Sequence, residues 1–89
     1  MQEQDVQIIN KLGLHARAAA ALVKIASEFQ SDISLAKDGN EVSSKNIMDV
    51  LMLAATKGTW LTVKTSGLDE DEAMSAVLEL INNKFNESE

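Results

Sequence analysis

Three short segments of this chain alternate large apolar residues with polar or small ones: Val6-Gln7-Ile8, Ile33-Ser34-Leu35-Ala36 and Leu61-Thr62-Val63-Lys64. A period of two sends every second side chain to one face, so each segment reads as a strand with one buried and one open side. Elsewhere the apolar spacing switches to three and four. Ala19, Leu22, Val23 and Ala26 share one helical face, and so do Ala73, Val77, Leu80 and Ile81. One-sided strands interleaved with one-sided helices need a common core. The economical arrangement is an antiparallel sheet with helices covering one face.

The residues between these segments supply the stops and starts. Asn10 to Gly13 reads as a loop, and a helix is expected from Ala16, with Phe29 extending its apolar face. Lys37-Asp38-Gly39-Asn40 predicts a hairpin turn, because Asp-Gly supplies the positive-φ positions such turns need. Val42 marks a short strand beyond it. Asn46, followed three residues later by Asp49, suits a helix start, and Ile47 to Leu53 is apolar nearly all round. Lys57-Gly58 is expected to close that helix. Trp60 falls by parity on the open side of its strand, opposite Leu61. Gly67 breaks the strand, and Asp69 with Glu72 resembles an N-cap and its partner. The order is β-α-β-β-α-β-α, in a single domain spanning residues 1–89. A chain of this length buries only about 60–65% of its unfolded surface, enough for one modest core.

Charge narrows the function. Residues 69–89 contain seven carboxylates and one lysine, and so carry the whole net charge of −6. The rest is neutral, and within it Lys11, Arg17 and Lys24 lie in a stretch free of acids. An acidic chain with two Phe, one Trp and no Tyr is poorly suited to nucleic acid, which calls for basic surface and stacking aromatics. There is no cysteine, hence no disulfide framework or thiolate metal site. No apolar run approaches the ~20 residues of a membrane span, and Met1 to Asp5 lacks the features of a secretory signal. A cytoplasmic protein is expected. The acidic end, Asn86 to Glu89, is expected to be frayed and solvated.

Chemistry is visible in one place. The single histidine stands in Gly13-Leu14-His15-Ala16-Arg17, between a loop and a helix. A lone histidine is usually an ordinary surface or capping residue, but its neighbours improve the case. At a helix start, the backbone N–H groups of Ala16, Arg17 and Ala18 have no intrahelical partner and favour an anion. Arg17 adds a fixed charge with planar donors suited to phosphate oxygens. A ring nitrogen is a competent nucleophile toward phosphorus, and such a site needs neither metal nor cofactor. No Gly-rich phosphate loop and no recognisable nucleophile elbow is present. Chemistry at an exposed helix end, completed by a partner protein, fits a chain this small.

The segment Asn10-Lys11-Leu12-Gly13-Leu14-His15-Ala16-Arg17-Ala18-Ala19 resembles the active-site segment of the HPr family, the histidine phosphocarriers of the phosphoenolpyruvate-dependent phosphotransferase system. The likeness runs from about Val6 to Phe85 and includes Asn46-Ile47-Met48-Asp49-Val50-Leu51 and Ala55-Thr56-Lys57-Gly58. It implies an α+β open-faced sandwich, a four-stranded antiparallel sheet with three helices on one face. It implies that enzyme I phosphorylates His15 on Nδ1, that Arg17 balances the phosphoryl charge, and that an enzyme IIA-type acceptor takes the group. It also implies docking through Ile47, Met48 and Leu51 of the second helix, beside Ala20, Lys24 and Ser27 of the first. The expected protein is a monomer, with regulatory protein partners conceivable beside the two transfer partners. A competing reading is a regulatory binding module without phosphotransfer. His15 and Arg17 argue against it, since a pure binding surface has no need of that pair.

Two positions depart from the family pattern. Ala18 stands where proline is usual after the arginine. Alanine keeps the helix and adds an N–H donor, so the site is expected to survive. Asn46 stands where sugar-branch members of many Gram-positive bacteria carry a regulatory serine. That residue and the Asn-Lys-Leu-Gly wording before His15 look more like the nitrogen-branch relative, NPr.

Overall fold

The computed structural model describes residues 1–88 and shows the expected element order. The strands are β1 (Gln2–Gln7), β2 (Asp32–Lys37), β3 (Asn40–Ser43) and β4 (Trp60–Ser66); the helices are α1 (Ala16–Ala26), α2 (Ile47–Met52) and α3 (Glu70–Asn82). The four strands form one antiparallel sheet in the order β1-β4-β2-β3. Val6 opposes Leu61, and Leu35 opposes both Val63 and Val42. Val6, Ile8, Ile33, Leu35, Leu61 and Val63 are buried, together with Ala18, Ala19 and Leu22 of α1 and Ala73, Val77 and Ile81 of α3. Trp60 lies exposed, on the side of β4 that its parity assigns. The Asp38-Gly39 turn takes φ of 51° and 87°, the left-handed pair that joins β2 to β3 tightly.

Four details differ from the sequence reading. β1 begins at Gln2, four residues ahead of the apolar alternation. Its first half is polar because it is an edge strand, held by the ladder to β4 and by Thr62 donating to Asp5 at 2.8 Å. α2 ends at Met52, well before Lys57-Gly58. Ala54 turns left-handed at φ 53°, and the Lys37 ammonium donates to the carbonyls of Leu53 (3.0 Å) and Ala54 (3.3 Å). A lysine from β2 thus satisfies carbonyls that a longer helix would have used.

Asp69 precedes α3 but makes no side-chain cap. Its carboxylate reaches instead to the turn before β2, accepting from the Gln30 and Ser31 backbone N–H groups, each at 2.9 Å, and from the Ser31 hydroxyl at 2.5 Å. Finally, the chain after α3 packs on the body of the protein through Phe85 and Glu87, while Asn86 and Ser88 are exposed. Lys84, Phe85 and Asn86 form a turn with φ of 58°, 55° and 64°, and Phe85 is buried. Of the acidic end, only Glu89 lies outside the described residues.

Candidate functional site

The site is built where the loop after β1 meets the first turn of α1. Gly13 takes φ 68°, and a Cβ there would stand 2.6 Å from the Ala55 carbonyl oxygen and 2.9 Å from Thr56 Cα. Only glycine allows this approach, which seats the loop so that Leu14 N–H donates to the Ala55 carbonyl at 2.8 Å. Leu14 is buried. The next residue, His15, is thereby placed at the N-cap of α1 with extended backbone angles.

His15 makes three hydrogen bonds, two within α1 and one to the chain after α3. Its carbonyl accepts from Ala19 N–H at 2.8 Å, the first helical hydrogen bond. Nδ1 accepts from Arg17 N–H at 3.3 Å. On the far side of the ring, Nε2 meets the Glu87 carboxylate at 2.5 Å. Nδ1 is an acceptor here, so a neutral ring carries its proton on Nε2 and donates it to Glu87. The Nδ1 lone pair then lies on the side where the first-turn amides of α1 present positive charge.

Glu87 is held in turn by Asn10. The buried Asn10 amide donates to the Gly13 carbonyl at 2.8 Å and to Glu87 Oε1 at 2.9 Å. Burial works to raise the Glu87 carboxyl. The hydrogen bonds from Asn10 and His15 and the charges of His15 and Arg17 together outweigh that, and the group stays below the usual glutamate value. Arg17 is exposed and lines an open cleft of about 590 Å³ with Lys11, Leu12, Phe85, Asn86, Glu87 and Ser88.

The structure brings His15, Ala16, Arg17 and Ala18 together as one helix start, with Ala18 buried and the others at least partly open. Ala20, Lys24 and Ser27 recur along the exposed side of α1, and α1 packs against α2. On α2, Ile47 and Met48 are exposed, whereas Leu51 is half-buried and packs on the core. The sequence reading did not single out Leu12 and Met52, which expose 66% and 77% of their surface; Leu12 lines the cleft beside Arg17, and Met52 lies with Gly39 to Val42. Nor did it assign a role to Asn10 or Glu87. A polar residue that ends up fully buried in a loop has no periodic signature, and nothing local distinguishes Glu87 from the other acids of the terminus. At the start of α2, Asn46 Oδ1 accepts from Asp49 N–H at 3.1 Å, the expected cap.

The family description "PTS HPr component phosphorylation site" matches residues 2–83. The chain is 51% identical over 89 residues to the phosphocarrier protein HPr of Cupriavidus necator, covering all of both chains.

The chain belongs to the HPr family of phosphocarrier proteins.

Solved HPr structures share the fold in detail. A crystal structure of HPr-C-His from Thermoanaerobacter tengcongensis superposes with a TM-score of 0.96 at 42% identity, over all of both chains. An HPr dimer from the same organism gives 0.79 at 42% identity, over 98% of this chain and 100% of that one. The open-faced α+β architecture is therefore that of HPr, and the family's task in the phosphotransferase system is carrying phosphoryl groups. Among the described residues no helix is long and apolar enough to cross a membrane.

Proposed function

We propose that the phosphoryl group this HPr-family carrier takes from enzyme I and delivers to an enzyme IIA-type acceptor is held on Nδ1 of His15. The observation that carries the reading is the hydrogen bond from Arg17 N–H to Nδ1, which marks that nitrogen as unprotonated and places it at the start of α1. Nδ1 attacks phosphorus, and the new group comes to rest near the amides of Ala16 and Ala18, with the Arg17 guanidinium able to swing over it. The carrier needs no metal or cofactor for this, because charge on the phosphoryl oxygens is met by amides and one guanidinium.

The partners dock on the side built by Ala20, Lys24 and Ser27 of α1 and Ile47, Met48 and Leu51 of α2. Lys24 and the acid-free stretch around it suit an acidic partner surface. The working unit is a single protomer in the cytoplasm. A regulatory role through protein binding alone leaves the paired His15 and Arg17 without a use.

Incubation with phosphoenolpyruvate and enzyme I, followed by intact-mass measurement, tests the assignment. One phosphate is added, acid-labile and base-stable as a phosphoramidate is, and none is added to His15→Ala. A His15→Ala protein that gains a phosphate refutes it.

A further inference from the structure

The contact between Glu87 and His15 joins residues 72 positions apart and is costly to build. Lys84, Phe85 and Asn86 all adopt the left-handed conformation, and none is glycine. L-residues avoid this region for steric reasons, so three in succession persist only where the surroundings demand it. The demand is visible. Phe85 is buried in the core, and two backbone hydrogen bonds of 3.0 Å close the turn, from Asn86 N–H to Asn83 and from Glu87 N–H to Lys84. The outcome of that strained turn is a single polar placement. One Glu87 oxygen meets His15 Nε2 and the other is gripped by the buried Asn10 amide.

Resting on the assignment of His15 as the acceptor, we infer that Glu87 is a positioning residue for phosphoryl transfer, holding the Nε2–H tautomer of His15 and balancing the charge the ring gains. The Nδ1 lone pair forms the N–P bond while the bond from phosphorus to the donor atom on enzyme I breaks, its electron pair staying with the donor. The ring keeps its Nε2 proton and becomes positive. The Glu87 carboxylate faces that proton throughout, so the charge develops beside a fixed counter-charge instead of in water. Delivery to the acceptor is the reverse: the ring leaves as a neutral imidazole already in the tautomer needed for the next cycle. The first-turn amides of α1 work on the phosphoryl side of the ring and Glu87 on the other.

The chain has one histidine, so its imidazole nitrogens can be followed without overlap. The experiment records ¹⁵N spectra of the unphosphorylated protein at fixed pH, together with the rate of transfer from phosphorylated enzyme I. Three proteins are compared: the native protein, Glu87→Gln and Glu87→Ala. The native spectrum shows the Nε2–H form. Glu87→Gln retains an acceptor oxygen and keeps that form, but transfers more slowly for want of the charge. Glu87→Ala gives a mixture of tautomers and a transfer rate lower by roughly tenfold, the worth of one charge-assisted hydrogen bond. A Glu87→Ala protein with an unchanged spectrum or an unchanged rate overturns the inference. The tautomer is read before any phosphorylation, so this result is independent of whether His15→Ala abolishes transfer.

Discussion

Asn10 and Glu87 stand 77 residues apart in the chain, and the side-chain amide of the first donates to the carboxylate of the second at 2.9 Å. The same amide nitrogen also donates to the Gly13 carbonyl, so one buried side chain couples the loop that carries His15 to the end of the protein. Replacing Asn10 by Ala removes both bonds and leaves the Gly13 carbonyl without that donor. We expect a loss of about 1–3 kcal/mol in urea unfolding and slower phosphorylation of His15. Asn10→Asp, which sets a second carboxylate against Glu87, is expected to cost more. Equal stability of Asn10→Ala and the native protein contradicts this.

The tight seat of Gly13 predicts a contrast between two glycines that are both left-handed. Gly13→Ala meets the Ala55 carbonyl and Thr56, and costs roughly 2–4 kcal/mol from strain and overlap combined. Gly39 has open space where a Cβ would go, so Gly39→Ala bears the conformational cost alone, about 1–2 kcal/mol. Denaturant titration of both variants checks the order.

Asp69 gives the fold an acid-sensitive tie. The Ser31 hydroxyl, then the Gln30 and Ser31 amides, hold its carboxyl at about 2, down from an ordinary 3.8. A carboxylate depressed on folding contributes stability that is fully present above pH 3.8 and is lost as the pH falls through about 2. Asp69→Asn is therefore less stable than the native protein at neutral pH, and the gap narrows below pH 4 and nearly closes at pH 2. Urea midpoints measured across this range test the sign; a gap of constant size is the contrary result.

Neighbouring apolar residues of α2 are predicted to respond differently to charge. Met48 is 63% exposed, so Met48→Asp changes stability by no more than about 0.5 kcal/mol, while enzyme I binding falls about tenfold or more in calorimetry. Leu51 is half-buried against the core, and Leu51→Asp is expected to cost upward of about 2 kcal/mol in folding before any effect on docking can be read. Met48 is the residue on which the docking surface should be judged.

Much of this protein is legible along the chain because the deciding information is local. Alternation at Leu61 and Val63, helical spacing at Ala19, Leu22 and Ala26, and the Asp38-Gly39 turn each reflect the backbone geometry of a few consecutive residues. So does the capping of α2 by Asn46, and so does the placing of His15 and Arg17 at one helix start, since residues two apart at a cap share it wherever the helix goes.

Tertiary structure alone decided the rest, and in each case the partner is far away in sequence. Asp69 looks like a cap, yet the Ser31 hydroxyl and two amides across the fold offer its carboxylate more than one free N–H of its own helix. α2 has residues fit for another turn, yet Lys37 takes the carbonyls at its end. Lys84, Phe85 and Asn86 carry no left-handed signal, because the intrinsic preference of each opposes that conformation and only burial of Phe85 and the closing hydrogen bonds outweigh it. That is why Glu87 reads as one more solvated acid in the sequence and lies against His15 in the folded protein.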